Sequence, residues 1–254
     1  MITFQDAMQA MDSPEVSRIK AHNLGVNDMV NLVLQRSEII RDQPKPNRFI
    51  KAWVNGNDAP LLDLVEKLGA DELVRRAAAF IYLEFQKMKP FLTSPAPRKV
   101  ADIGCGYALF DLFLAREYDA DLVLIDIEAN EKRHFGFEKE GAAYSSLAQT
   151  RDFLIANGVE AGSIELRNPQ TDSLSDIKEL DYIFSFISCG FHYPWDTYLD
   201  FYDKALSAEG RVILDLRARK FAEALPEISK FGFARHLAKA ANGSADRIMF
   251  MKAA

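Results

Sequence analysis

The sequence predicts an α/β fold in which a doubly wound, mostly parallel, seven-stranded sheet follows a helical N-terminal extension. Three observations predict it: apolar residues at helical spacing in the first part, short continuous apolar runs in the second, and helical-length segments between most of these runs. The 254 residues are 48% hydrophobic and 27% charged, as is typical of a soluble globular protein. We expect a helical extension over residues 1–95 and a sheet domain over residues 96–254.

Helices are predicted throughout the N-terminal part. Ser13 followed by Pro14 is typical of a helix start, and residues 27–40 have apolar side chains at helical spacing. The segment 42–47 contains two prolines, which interrupt that pattern. Between residues 71 and 88 apolar side chains recur at steps of three and four, so they lie on one helical face that we interpret as part of the core.

Strands are predicted after residue 97. Continuous apolar runs separated by helices indicate a parallel sheet that is buried on both faces. Residues 232–239 and 246–251 predict two further strands around Asn242 and Gly243, a strong hairpin signal, so the sheet is expected to end in an antiparallel pair. The five earlier runs are 100–103, 122–127, 164–166, 182–187 and 212–216.

Charge and cysteine content restrict the class of partner and the compartment. The 31 basic and 37 acidic residues give a net charge of −6, which counts against a nucleic-acid substrate. No stretch approaches the ~18 to 20 apolar residues of a membrane span, and the first residues show no secretory leader. Two cysteines, Cys105 and Cys189, cannot form a disulfide framework. We expect a cytoplasmic protein that acts on a small molecule and contacts no membrane.

The turn after the first predicted strand has the strongest functional signal. Gly104 and Gly106 permit a tight turn and close backbone approach, and the N–H groups of the following helix start favour an anionic ligand group. One acid, Asp102, lies just before the glycines. A second acid, Asp126, ends the next strand, where a carboxylate can bind ribose hydroxyls. A nicotinamide or flavin site would have a third glycine at position 109, which is Leu109.

The pattern Asp-Ile-Gly-Cys-Gly-x-Ala at 102–108 resembles motif I of the class I S-adenosylmethionine-dependent methyltransferases, and the resemblance covers roughly residues 98–254. It implies S-adenosylmethionine as cofactor, with the glycine loop against its methionine part, Asp102 near its amino end and Asp126 on its ribose. A polar residue after strand three, Asn168, would contact adenine. It also implies that a seventh, antiparallel strand lies beside the fifth. Ala108 departs from the glycine that is frequent in the family. The implied cofactor-binding residues are Asp102, Gly104, Cys105, Gly106, Asp126, Ile127, Asn168 and Phe186.

The segment after strand four contains the candidate catalytic residue. In the family this segment faces the reacting methyl group, and a hydroxyl acceptor needs a base to remove its proton. A histidine with an ordinary pKa of about 6.5 suits that role. We therefore predict His192 as general base, with Tyr193 and Trp195 in the acceptor pocket. The alternative is a histidine that only packs within its loop.

Other acceptor chemistries match the sequence less well. The chain lacks the Asp/Asn-Pro-Pro-aromatic run of adenine amino-methylating enzymes, and Cys189 does not follow the proline typical of cytosine carbon-5 enzymes. Metal-dependent catechol-type enzymes have an aspartate where this chain has residues 187–189, so we predict no metal. The prediction is O-methylation of a small polar molecule or sugar. N-methylation, nucleic-acid methylation, and a catalytically silent subunit that docks a partner through its helices stay open.

Three further features are expected near the site. Cys105 and Cys189 follow neighbouring strands at the same sheet edge, so they either line the site or are small residues chosen for fit. The passage 129–144 is longer than ordinary connections and is interpreted either as a lid over the acceptor or as a helical surface segment. Trp53 of the helical extension is expected to contribute to the acceptor pocket.

Overall fold

A seven-stranded sheet forms the centre of the chain in the computed structural model, which describes residues 2–127, 146–240 and 243–252. Apolar β-branched and leucine side chains fill most positions of the central strands, because these strands are covered on both faces. The strands are β1 (Lys99–Ile103), β2 (Asp121–Ile125), β3 (Ile164–Arg167), β4 (Leu180–Ser185), β5 (Leu206–Arg217), β6 (Gly232–Ala240) and β7 (Ala245–Lys252).

The strand order is β3-β2-β1-β4-β5-β7-β6. Strands β1 to β5 are parallel, while β7 runs antiparallel between β5 and β6. This order confirms the doubly wound sheet and the antiparallel strand beside β5, and it reverses between β1 and β4, where Asp102 pairs with Phe184. Strand β4 ends at Ser185, two residues before its predicted end, because Ile187 has a φ of +54° that no strand accommodates. The predicted hairpin has Gly243 at φ +89°, and Asn242 lies outside the described residues.

Six α-helices precede β1 in the described part of the chain. Pro14 occupies the first position of its helix as predicted, and α3 ends at Gln35 and is followed by a 3₁₀ turn at Ser37–Ile40. The predicted apolar stripe between residues 71 and 88 is buried. The helices are α1 (Phe4–Ala10), α2 (Pro14–Ser17), α3 (Val26–Gln35), α4 (Asn47–Val54), α5 (Ala59–Leu68) and α6 (Ala70–Met88).

Two hydrophobic clusters cover the two faces of the sheet. One contains the helices before and after β5; the other combines the N-terminal helices with the helices that follow β1 and precede β3 and with residues of the central strands. Within it the rings of Phe85, Phe110 and Phe184 form a chain, with centroids 5.5 and 5.3 Å apart. The N-terminal helices thus share a core with the sheet, and a boundary near residue 95 stays a proposal. The remaining helices are α7 (Leu109–Tyr118), α8 (Leu147–Ala156), α9 (Leu199–Ala205) and α10 (Phe221–Phe231).

Two sequence predictions concern regions away from the sheet. The passage 129–144 lies outside the described residues, so its role as a lid stays a prediction. Trp53 is buried in α4 within the shared cluster and is not among the residues that line the main cavity. None of the helices in the described ranges is long and apolar enough to span a lipid bilayer.

Candidate active site

The turn between β1 and α7 depends on its glycines. Gly104 and Gly106 have φ values of +76° and +55°, in the left-handed region that glycine adopts at little cost. The N–H of Gly104 donates to the carbonyl of Ile125 at 2.7 Å. A Cβ on Gly104 would overlap the Ser188 hydroxyl and lie 2.5 Å from the Ser188 Cβ. The backbone of this turn therefore lies directly against the segment that follows β4.

Helix α3 packs on the same turn from the N-terminal side. A Cβ on Gly106 would lie 2.8 Å from Oε1 of Gln35. Next to it, the hydroxyl of Tyr107 donates to Oδ1 of Asp28 at 2.9 Å. Sequence reasoning did not find these contacts, since no local pattern links residues 28 and 35 to the glycine turn. The N-terminal helices thus form part of the wall of the site.

Asp102, at the end of β1, is a buried carboxyl with an unsatisfied oxygen. It is 6% exposed, and its Oδ1 has no hydrogen-bond partner among the described residues. Nearby Asp111 is fully buried in the first turn of α7, and neither of its carboxyl oxygens is hydrogen-bonded in the described part of the chain. Burial and the neighbouring Asp111 raise the pKa of Asp102 well above its usual value, and burial raises the pKa of Asp111 to about 6. Such a pair favours either a shared proton or a cationic ligand group.

Asp126 connects the tip of β2 to the glycine turn. Its Oδ2 accepts the N–H of Gly106 at 2.9 Å, and its Oδ1 accepts the N–H of Ile127 at 2.8 Å. Thr150 of α8 donates its hydroxyl to the carbonyl of Gly106 at 2.7 Å. These bonds fix the turn to β2 and α8.

The segment after β4 is fixed in a strained conformation. Ile187 is a β-branched residue at a positive φ, which is uncommon and concentrates at functional sites. The Ser185 hydroxyl donates to the carbonyl of Ile103 at 2.7 Å, so it joins the ends of β4 and β1. The N–H of His192 donates to the carbonyl of Ser188 at 2.8 Å. This geometry directs the segment across the carboxyl edge of β1.

A cavity of about 790 Å³ lies between this sheet edge and the N-terminal helices. It is formed by the glycine turn, the segment after β4, helices α3 and α6, and the β6–β7 end of the sheet. The predicted site residues that line it are Asp102, Gly104, Cys105, Gly106, Asp126, Phe186 and His192. The predicted residues absent from its lining are Ile127, Asn168, Tyr193 and Trp195.

Local contacts explain why these residues lie elsewhere. The side-chain oxygen of Asn168 accepts the N–H of Gln170 at 3.0 Å in a turn, so a local donor already contacts the amide proposed for adenine. Tyr193 is buried, and Trp195 lies edge-on to Phe250 at 6.0 Å in the cluster on the other face. The backbone N–H of Ile127 donates to Oδ1 of Asp126.

The two cysteines have different surroundings. Cys105 is buried in the wall of the cavity, where burial and nearby acids, Asp126 first, raise its pKa. Cys189 lies in the opposite cluster with its Sγ 3.4 Å from the Tyr202 hydroxyl, and burial raises its pKa to about 12. Both thiols are therefore protonated at neutral pH and are weak nucleophiles. Within the described ranges no three His, Cys, Asp or Glu side chains cluster as metal ligands.

The far wall of the cavity contains charged side chains that sequence reasoning missed. Arg247 of β7 forms a bidentate pair with Asp215 of β5, with two N–O distances of 2.7 Å, and its guanidinium lies 4.2 Å from the ring centroid of Phe186. Glu84 of α6 lies between Arg247, at 3.7 Å, and Arg36, at 3.5 Å. The pair of Arg247 with Asp215 follows from the strand register, because the two residues lie directly opposite each other in β7 and β5. The contacts of residues 36 and 84 depend on tertiary packing.

Comparisons with known proteins identify the fold. Neither a family model nor a curated protein matches the sequence. One similar solved structure is the O-methyltransferase TomG of Streptomyces achromogenes in complex with SAM, which is 14% identical over 67% of this chain and 80% of its own, with a TM-score of 0.46. Another is the T. thermophilus 16S rRNA N2 G1207 methyltransferase RsmC, which is 18% identical over 69% of this chain and 43% of its own, with a TM-score of 0.46. A candidate O-methyltransferase of Nostoc punctiforme matches 97% of this chain and 72% of its own at 15% identity, with a TM-score of 0.52. The chain has the class I methyltransferase fold. The Nostoc match extends over the N-terminal helices as well as the sheet.

The class I methyltransferase fold gives the cavity its position. In open α/β sheets ligands bind at the carboxyl edge where the strand order reverses. Here the reversal lies between β1 and β4, and the glycine turn and the segment after β4 meet at this point. The cavity is therefore the candidate ligand site of the fold.

Proposed function

We propose that the chain is an S-adenosylmethionine-dependent methyltransferase that methylates a hydroxyl group of a small polar molecule or sugar, and that it acts in the cytoplasm. The observation that carries the proposal is the buried carboxyl of Asp102 in the cavity wall, whose Oδ1 has no hydrogen-bond partner among the described residues, beside two glycines with positive φ. A buried carboxylate oxygen without a partner is costly, so the site is suited to a ligand that brings a cationic donor.

The residues of the cavity suit each part of this cofactor. Asp102 would accept hydrogen bonds from its ammonium group, Gly104 and Gly106 would permit close approach of its methionine part, and Asp126 would contact its ribose. When bound, S-adenosylmethionine supplies a methyl group activated on a sulfonium centre. Ile127 and Asn168 do not line the cavity, so we do not include them in this set.

His192 is the proposed base for the acceptor hydroxyl. It lines the cavity with its backbone bonded to Ser188 and its ring edge-on to Phe191 at 5.1 Å. A neutral imidazole can remove the hydroxyl proton during methyl transfer, and such a base contributes roughly 10² to 10⁴ in rate. Glu84 is a weaker candidate, because burial raises its pKa but Arg36 and Arg247 lower it further, to below its ordinary value.

Calorimetric titration with S-adenosylhomocysteine, which retains the ammonium group, tests the cofactor site. We expect Asp102→Asn to weaken binding by about 10- to 100-fold, since hydrogen bonds to charged groups contribute ~1.5–3 kcal/mol. The control is Asp121→Asn, which changes an exposed aspartate at the opposite end of the neighbouring strand. No binding to the wild type, or equal binding by Asp102→Asn, contradicts the proposal.

Transfer of a labelled methyl group to hydroxylated small molecules, amines and RNA tests the reaction. We expect transfer to a hydroxylated molecule and a loss of about 100-fold in His192→Gln with cofactor affinity preserved. Activity of His192→Ala and His192→Gln within about threefold of wild type would exclude the base role. Transfer only to amines or RNA, or cofactor binding without any transfer, would support the other classes.

A further inference from the structure

Glu84 is a carboxylate in the cavity wall that forms two long ion pairs, with Arg36 and with Arg247. Its distances of 3.5 Å to Arg36 and 3.7 Å to Arg247 are ion-pair distances, longer than the 2.7–3.2 Å of ordinary hydrogen bonds. The side chain of Glu84 is 22% exposed and lines the cavity. By contrast, Arg247 forms two bonds of 2.7 Å with Asp215, and Arg36 lies 3.1 Å from Glu38. Each of the two arginines thus has a carboxylate partner closer than Glu84.

The charge state of Glu84 makes it an acceptor of hydrogen bonds. Burial raises its pKa, but the adjacent Arg36 and Arg247 lower it more, so the carboxyl is ionised at neutral pH. An ionised carboxylate has about four acceptor positions and no donor. A ligand group that meets Glu84 must therefore bring a proton donor.

The neighbours of Glu84 select among the possible donors. An ammonium group on Glu84 would lie within reach of two guanidinium groups, which repel it. An anionic group attracted by the guanidinium groups would lie against Glu84 itself. A neutral hydroxyl avoids both conflicts, and a second hydroxyl beside it can accept a hydrogen bond from Arg36. Adjacent hydroxyls therefore complement the Glu84 and Arg36 pair.

This pair belongs to the same cavity as the candidate cofactor residues. Arg247, which neighbours Glu84, lies over Phe186 at 4.2 Å, and Phe186 is two residues before Ser188, which packs against Gly104. Arg36 directly follows Gln35, which packs against Gly106. Both ends of the pair are thus connected to the glycine turn through residues that line the cavity.

We propose that Glu84 and Arg36 form the acceptor-binding pair and select a neutral polyhydroxylated acceptor by its adjacent hydroxyl groups. The inference rests on the proposed function and specifies its substrate class. Glu84 is a binding residue in this proposal, while the proton is removed elsewhere in the cavity.

The test is saturation-transfer NMR on the chain loaded with S-adenosylhomocysteine, with three related probes: D-glucose, the ammonium sugar D-glucosamine and the carboxylate sugar D-glucuronate. myo-Inositol and D-ribose extend the neutral set. We expect the wild type to prefer the neutral probes, and Glu84→Gln to weaken their binding by about tenfold or more. Glu84→Asp, which retains the charge on a shorter side chain, should lose less.

The matched control is Glu72→Gln on the same helix. Glu72 is also paired with an arginine, Arg76, but at 2.7 Å and away from the cavity lining, so neutral-probe affinity should stay within about twofold. Unchanged S-adenosylhomocysteine affinity and thermal unfolding of Glu84→Gln show that the cavity is intact. If the wild type binds S-adenosylhomocysteine but none of the neutral probes, or if Glu84→Gln binds them as the wild type does, the inference is overturned. Failure to bind S-adenosylhomocysteine instead overturns the proposed function.

Discussion

The two ends of the cavity are built in different ways. At the glycine turn, the proposed cofactor-binding groups lie within residues 102–126, and backbone geometry and one unsatisfied carboxyl oxygen define the site. At the far wall, the charges of Arg36, just after α3, Glu84 of α6 and Arg247 of β7 are balanced with the help of Asp215 of β5 behind Arg247. The first end is recognisable in a short stretch of sequence, whereas the second exists only after distant elements have packed. A cofactor site can therefore be inferred from a local motif, while an acceptor site requires the tertiary structure.

The largest effect on the free energy of unfolding is expected at the far wall, where one substitution leaves a buried charge without its partner. Arg247→Met leaves Asp215, which is 0% exposed, without its bidentate partner. Breaking a buried pair from one side costs about 3–5 kcal/mol in the free energy of unfolding. Urea unfolding of the variant and the wild type measures this difference.

The double variant Arg247→Met, Asp215→Leu separates the lost partner from the lost packing. Replacing both members of a buried pair by apolar residues is often neutral, so we expect most of the stability to return. A loss under ~1 kcal/mol in the single variant would mean that Asp215 is solvated or protonated, contrary to its pairing in this wall.

Alanine substitutions at the two glycines of the turn should destabilise the fold by different amounts, because their neighbours differ in rigidity. Gly104→Ala places a Cβ 2.5 Å from the Cβ of Ser188, an atom fixed to its backbone, so we expect a loss of about 2–4 kcal/mol from strain and overpacking. Gly106→Ala meets the mobile end of Gln35, so we expect about 1–2 kcal/mol, mostly from its positive φ. Chemical denaturation of both variants measures the order.

Adding Gln35→Ala to Gly106→Ala should restore only the packing part of that loss. Equal destabilisation by the two alanine substitutions would contradict a rigid contact with the segment after β4 and a flexible one with α3.

A third effect concerns the acidic pair at the glycine turn, and it has the opposite sign. The folded-state pKa of Asp111, about 6, exceeds the ordinary value of 3.8, so its ionisation destabilises the fold as the pH rises from about 4 to about 6. Asp111→Asn removes this penalty. We expect the variant to be more stable than the wild type by roughly 3 kcal/mol above pH 6, with little difference near pH 4.

Unfolding free energies of both chains between pH 4 and pH 8 measure this difference. A constant offset over the whole range would indicate a packing effect rather than the titration of the pair with Asp102.

The extent to which the sequence predicted the molecule follows the same division. Strand positions and the turn of Gly104 and Gly106 were predictable because apolar runs and glycine spacing are local signals. The far wall was not, because Arg36 and Glu84 contact Arg247 only through tertiary packing. The adenine contact of Asn168, which the family resemblance implies, stays a prediction, and its side-chain oxygen accepts the N–H of Gln170 in a local turn.

The cluster shared by the N-terminal helices and the sheet has a consequence for the order of synthesis. Phe85 of α6 reaches Phe184 of β4 through Phe110, and Met249 of β7 belongs to the same cluster. During translation the helices leave the ribosome before β4 and β7, so the part of their apolar surface that these two strands cover stays uncovered until the strands have been made. The shared cluster is therefore complete only when β7 has inserted beside β5.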